Sequence, residues 1–157
     1  VDRVLHLLAI NKNIELIIIG EGNFKINLIK KVKYLNIEDK VKFLGKISKP
    51  FDLVAGADYF ILPSRWEGLP NCVLESLALG TPVISTKQIY SLIDFKKNIL
   101  NRSIVLFNSI SELSKRIEIL EKRKDYRKPK LRKSLLIDYI SPINFNKKIN
   151  KIILKIA

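Results

Sequence analysis

The chain has 157 residues, 47% of them hydrophobic, with 29 Lys plus Arg against 15 Asp plus Glu, a single cysteine and no methionine. That length suits one domain with a proper core; the lone Cys72 excludes an internal disulfide and a cysteine metal cluster, and no apolar run approaches the roughly 18 residues that span a bilayer. The net charge of +14 admits a nucleic acid, an anionic membrane surface or an acidic substrate as partner. Ile, Lys and Asn are over-used everywhere, loops included, so coding bias takes the larger share of this charge and a membrane surface most of the rest.

Asp2 to Ile10 reads as an amphipathic helix, with His6 a structural residue beside Leu5 and Leu7. A start at Val1 inside a helical pattern, without methionine, leads us to expect a piece of a longer polypeptide whose remainder precedes it. After the break Asn11-Lys-Asn13, Glu15 to Ile19 is continuously apolar beyond Glu15 and is expected to be a strand buried on both faces. Gly20-Glu-Gly22 follows directly and leads into a helix from Phe24 to Tyr34, a strand-to-helix turn whose glycines supply unusual backbone angles. Val41 to Leu44 alternates and ends at Gly45, a second strand, and Phe51 to Ala55 suggests a short helix.

The centre of the chain is Leu62-Pro-Ser-Arg-Trp-Glu-Gly-Leu-Pro-Asn-Cys-Val-Leu-Glu-Ser-Leu-Ala-Leu-Gly-Thr-Pro-Val-Ile-Ser85. Asp58 to Leu62 and Pro82 to Ser85 are strands flanking one helix, so the segment is a β-α-β unit with parallel strands. Pro70 fits the first helical position, Gly80 closes the helix, and Val73, Leu74, Leu77 and Ala78 share one face. Asn71 and Glu75 share another face near the helix N-terminus, which points beyond the carboxyl edge of the sheet, where open α/β sheets bind ligands and free N–H groups attract phosphate.

Glu67 and Glu75, set within Pro-Ser, Glu-Gly-Leu-Pro, Leu-Glu-Ser and Gly-Thr-Pro-Val, resemble the signature of family 4 retaining glycosyltransferases. The resemblance covers about Val1 to Leu120 and implies the C-terminal, donor-binding half of a GT-B enzyme, a Rossmann-like doubly wound parallel sheet, spanning residues 1–157 as one domain. It implies that Glu75 grips the donor ribose, that Glu67 holds the donor sugar as the catalytic residue, and that backbone N–H groups of Gly68, Leu69, Pro70, Asn71, Cys72 and Val73 receive the pyrophosphate. Gly20 and Gly22 would lie beside the donor, and backbone atoms of Gly45, Lys46 and Ile47 would face the base. Cys72 itself reads as a small apolar helix residue, not a nucleophile.

The same resemblance implies a nucleotide diphosphate sugar as donor, a glycan or lipid-linked acceptor in cell-surface polysaccharide synthesis, no metal and no other cofactor. In the family the acceptor is held mostly by the N-terminal half, which would precede this chain, so this chain alone is expected to bind donor without transferring sugar, and to bind it weakly because the family's upstream Arg and Lys on the diphosphate are absent as well. The expected location is the cytoplasm, peripheral on the inner face of the membrane. An inactive nucleotide-binding scaffold carries the same motif and a basic nucleic-acid-binding domain the same charge; no nucleic-acid partner is expected.

After Ser85 the sequence departs from the family at Thr86-Lys-Gln-Ile-Tyr-Ser-Leu-Ile-Asp94. Ile104 to Phe107 reads as a strand and Ser109 to Leu120 as a helix capped by Ser109 or Ser111, with Leu113, Ile117 and Leu120 apolar. Residues 121–157 read as a basic hinge and C-terminal helices. The block from Glu121 to Lys133 is a solvated hinge or a lipid-headgroup contact, and Asn144 to Ile156 is a final helix whose isoleucine stripe would dock on the other half.

Overall fold

The computed structural model describes residues 1–11, 13–89, 91–93 and 103–121. The basic block beyond Glu121, the final helix, and Tyr90 and Asp94 of the divergent loop lie outside the described residues. Within them the chain runs α1 (Asp2–Ile10), β1 (Leu16–Ile19), α2 (Lys25–Tyr34), a 3-10 turn (Glu38–Lys40), β2 (Val41–Gly45), α3 (Phe51–Gly56), β3 (Phe60–Leu62), α4 (Asn71–Ala78), β4 (Val83–Thr86), β5 (Ile104–Phe107) and α5 (Ile110–Glu121).

Every strand pairing is parallel, as the alternation of short apolar runs with helices requires. The ladders form two pieces, β1-β2 and β3-β4-β5, rather than one continuous hydrogen-bonded sheet. Side chains bridge them, because Ile14 and Ile61 pack against the cores of both.

Strands β4 and β5 are covered on both faces. Val83, Ile104 and Leu106 meet Val73 and Leu77 of α4, while Ile84 and Phe107 meet Leu7 of α1 and Leu113 of α5. This period-two division of side chains between two helical layers is the doubly wound arrangement expected from the sequence. The apolar stripe of α4 is inward-facing as expected, with Val73 and Leu77 fully buried, each contributing on the order of 1.5–3 kcal/mol.

The expectation of two-face burial fails for β1. Leu16 and Ile18, with Val41 and Phe43 of β2, pack against α1 and α2, but Ile17 remains 45% exposed and Leu44 43%. Among the described residues a helical layer covers one face of this pair only.

Two helix ends explain turn residues. At α4, the Thr81 N–H donates to Ser76 O at 2.9 Å and the Gly80 N–H to Leu77 O at 3.1 Å, with Gly80 at φ +80°, a left-handed cap that glycine adopts without strain. At α2 the equivalent position is Asn36, φ +52°, and the following Ile37 packs with Val32 in the core. The end of α1 is closed differently, by Lys40, whose ammonium donates to Leu8 O and Asn11 O, both at 3.1 Å. His6 is an exposed residue of this helix.

Candidate functional site

The carboxyl ends of β3 and β4 carry the central turn, 63–70, and α4 begins immediately after it. Pro70 stands one position earlier than expected: it is the N-cap, φ −73° and ψ 127°, and Asn71 is the first helical residue. Proline's fixed φ suits either place, which is why the sequence pattern does not separate them. Having no N–H, Pro70 cannot donate to a ligand, and its carbonyl already accepts the Val73 N–H at 3.0 Å. The expected row of amide donors therefore shortens at both residues, leaving Gly68, Leu69, Asn71 and Cys72. The first N–H groups of α4 have no partner within the helix, no side chain caps them, and the dipole there favours an anion.

Glu67 and Glu75 are both exposed, one on the turn and one a turn into α4. The turn and the helix bring them close enough to the half-buried Cys72 thiol to act on it electrically: burial pushes the thiol up, the Glu67 carboxylate adds to this, the amide N–H groups of Val73 and Cys72 oppose it, and Glu75 adds a smaller push. A thiol shifted in this direction is protonated at neutral pH, as expected of a packing residue rather than a nucleophile.

Hydroxyl groups hold this turn, and the sequence reading missed them. Ser64 Oγ donates to Glu67 Oε1 at 2.9 Å and so orients that carboxylate. From the strand beneath, Ser85 Oγ donates to Leu62 O at 3.0 Å and Thr86 Oγ1 to Ser64 O at 2.6 Å. From the divergent loop, Ser91 Oγ donates to Gly68 O at 2.7 Å. Buried Ser76 and Thr81 fix the other end of α4, Ser76 Oγ donating to Thr81 O at 2.9 Å and Thr81 Oγ1 to Val54 O of α3 at 2.8 Å. Ser85 and Thr86 do leave a signal, since hydroxyls ending a buried strand must find acceptors. Ser91 leaves none.

The second group of expected residues meets at the ends of β1 and β2. The Gly20 N–H donates to Gly45 O at 2.7 Å, and Ile19 is in register with Gly45 across a bulge. Gly20 and Gly45 have φ of +125° and +69°, and a Cβ on Gly45 would lie 2.7 Å from Glu21 Oε1, which is itself bonded to Lys25 Nζ at 3.0 Å. A Cβ on Gly20, Gly22 or Gly68 would meet nothing within 4 Å, but Gly22 and Gly68, unlike Gly20 and Gly45, are not left-handed. Among the described residues nothing demands glycine at positions 22 and 68. Lys46 is exposed and Ile47 half-buried on the segment that leads to α3. Trp66, the only tryptophan, stands 92% exposed beside Glu67.

Among the described residues no three of His, Cys, Asp and Glu cluster as a metal site, and no helix is long and apolar enough to cross a membrane.

The model of the family described as Glycosyl transferases group 1 matches residues 1–135. The chain belongs to this family. A Campylobacter jejuni relative, N-acetylgalactosamine-N,N'-diacetylbacillosaminyl-diphospho-undecaprenol 4-alpha-N-acetylgalactosaminyltransferase, is 38% identical over 74 residues, 47% of this chain and 20% of the relative. Among solved structures, the apo form of the lipopolysaccharide outer core galactosyltransferase WaaB superposes with a TM-score of 0.76 at 22% identity, covering 99% of this chain and 44% of that one. Anabaena HepE in complex with UDP gives 0.74 at 19% identity, covering 96% and 44%. At these identities the superpositions establish the fold, a Rossmann-like half of the GT-B type. The group 1 chain thus spans less than half the length of the proteins it matches.

Proposed function

We propose that this group 1 chain is the donor-binding half of a retaining glycosyltransferase, holding a nucleotide diphosphate sugar along the carboxyl edge of β3 and β4. The observation that carries this reading is the joint placement of Glu67 and Glu75 around the N-terminus of α4, on a turn tied down by hydroxyls of Ser85, Thr86 and Ser91. A carboxylate has two acceptor oxygens and suits a ribose diol, the task given to Glu75; Glu67, oriented by Ser64, holds the donor sugar. The α4 N-terminus with the amides of Gly68, Leu69, Asn71 and Cys72 takes the pyrophosphate, so that two glutamates do not face a diphosphate unopposed. The open space at Gly22 and Gly68 supports close approach of the donor, with Gly20 beside it and backbone atoms of Gly45, Lys46 and Ile47 toward the base.

Donor binding needs no metal in this reading. The HepE structure holds UDP, the Campylobacter relative is named for a lipid-diphosphate-linked acceptor and WaaB for the lipopolysaccharide outer core, which supports a uridine nucleotide as the first donor to try and a glycan or lipid-linked acceptor in polysaccharide synthesis; the cytoplasmic side of a membrane is part of the same proposal. The acceptor belongs to the remainder of such an enzyme. Positioning supplies up to roughly 7–11 kcal/mol in the best intramolecular cases, so this chain alone binds donor without transferring sugar.

Calorimetric titration of UDP, GDP and an oligonucleotide tests the reading. One nucleotide diphosphate should bind weakly, at about −4 to −6 kcal/mol, unaffected by EDTA. No binding of either nucleotide, with steeply salt-dependent oligonucleotide binding instead, contradicts it.

A further inference from the structure

Helix α2 has a core-facing apolar side and an opposite side of mixed apolar and basic residues that nothing among the described residues covers. Leu28, Val32 and Leu35 face the core. On the opposite side, at i, i+4, i+7 and i+8, stand Ile26, Lys30, Lys33 and Tyr34, all exposed, with Ile26 at 66% and Tyr34 at 83%; Phe24, the N-cap, is 74% exposed at the rim. From Phe24 to Ile37 the sequence contains no Asp or Glu, and neither Lys30 nor Lys33 has an ion pair among the described residues.

We propose that this face of α2 docks on the surface of an anionic lipid bilayer. The charge is complementary to lipid phosphates, and two lysines with no acid between them gain from each headgroup contact. Charge alone would suit a nucleic acid equally. The apolar members decide between them, because an exposed isoleucine one turn before the lysines, Ile26, has no use against a phosphodiester backbone but buries into the boundary between headgroups and acyl chains. Tyr34, at the C-terminal end of the row, fits the same depth, and Phe24, the exposed N-cap, offers further apolar surface at the other end of the helix. With about 1.5 Å of rise per residue, this helix lies flat across a few headgroups, and Phe24 places its N-terminal end beside the Gly20–Gly22 loop at the carboxyl edge. The inference is independent of the donor site, since it concerns the opposite side of α2 from the core.

Co-sedimentation of the 157-residue chain with vesicles tests it, using phosphatidylglycerol mixed into phosphatidylcholine against phosphatidylcholine alone. The chain should partition onto the anionic vesicles only. Lys30→Glu with Lys33→Glu, and separately Phe24→Ser with Ile26→Ser, should each lower the partition coefficient at least about tenfold while circular dichroism stays unchanged, since all four side chains are exposed. Neutralising the basic residues of 122–133 should leave this dependence on α2 intact. The inference is overturned if the unaltered chain ignores anionic vesicles, or if both α2 variants sediment like it. It is overturned equally if the lysine pair governs oligonucleotide binding while Phe24→Ser with Ile26→Ser changes vesicle binding not at all.

Discussion

The β3-α4-β4 unit and the β1-β2 pair both end at the carboxyl edge, yet they are built in opposite ways. In the first, side chains do the fixing: strands packed on both faces lie below, hydroxyls of Ser85, Thr86 and Ser91 hold the carbonyls of Leu62, Ser64 and Gly68, and Ser76 and Thr81 hold the far end of the helix. In the second, the backbone does it: Gly20 and Gly45 bond directly in left-handed conformations, above strands whose outer face leaves Ile17 and Leu44 exposed. The contrast separates two demands on one site. A carboxylate that must meet a particular hydroxyl needs a rigid turn, whereas a loop that lies alongside a ligand needs room and little else.

The difference in burial is the easiest part to break. Leu77→Ala should cost about 2–5 kcal/mol, because a fully enclosed side chain leaves a cavity between α4 and the sheet. Ile17→Ala, at 45% exposure, should cost less than about 1 kcal/mol. Chemical denaturation of both variants measures the gap, and equal losses would mean that the β1-β2 pair is as enclosed as the central unit.

The glycines sharpen the comparison. Gly45→Ala puts a Cβ on a left-handed backbone and should destabilise by about 1–3 kcal/mol, the exposed Glu21 carboxylate 2.7 Å away being free to swing aside. Gly68→Ala meets open space and should leave the melting temperature unchanged while weakening nucleotide binding. If Gly68→Ala melts early and binds normally, glycine there serves the fold alone.

Removing one hydroxyl tether is a smaller change. Ser91→Ala deletes the bond to Gly68 O and should cost about 0.5–1.5 kcal/mol, read as weaker nucleotide binding more than as lost stability, because the loop it joins is exposed. The same substitution at Ser48, exposed and outside the tethered turn, provides the control.

The smallest effect lies away from both regions, at the start of α5. Ser109 Oγ caps the Glu112 N–H at 3.2 Å, and Glu112 reaches back to the Asn108 N–H at 3.0 Å and across to Arg116 at 2.8 Å. The Asn108 N–H, then the Arg116 bond, hold the Glu112 carboxyl below its ordinary value. A depressed carboxylate stabilises the fold above its unfolded pKa, about 4.3, and loses that contribution as pH falls through the folded value. Glu112→Gln should therefore match the parent in acid and fall slightly behind it at neutral pH, in paired melts across that range.

The central unit was legible because its signals are local. Pro70 and Gly80 punctuate a helical apolar stripe, and the flanking strands are short and apolar, so element type and order follow directly. Four things were not legible, each for a physical reason. Apolar residues in β1 report that a strand can be buried, not which of its faces a helix covers. Proline's fixed φ serves the N-cap as well as the first helical turn, so the pattern does not tell the two apart, and a row of backbone donors drawn through Pro70 includes an N–H that proline lacks. The tether from Ser91 joins residues far apart in sequence, and a lone serine in a loop carries no pattern that foretells its acceptor. The same short-range signals made Glu67 and Glu75 visible as a pair, while the hydroxyl that orients Glu67 looked like ordinary turn polarity.

Trp66 offers a direct readout of the central claim, since the only tryptophan stands exposed next to Glu67. Titrating UDP and GDP while following Trp66 fluorescence, with calorimetry in parallel, compares the parent with Glu75→Ala. Losing a charge-assisted hydrogen bond is worth about 1.5–3 kcal/mol, so Glu75→Ala should lower the affinity roughly ten- to a hundredfold for the nucleotide that binds, with an unchanged melting temperature because Glu75 is exposed. Unchanged affinity in the Glu75→Ala chain would contradict the account and move the nucleotide away from α4.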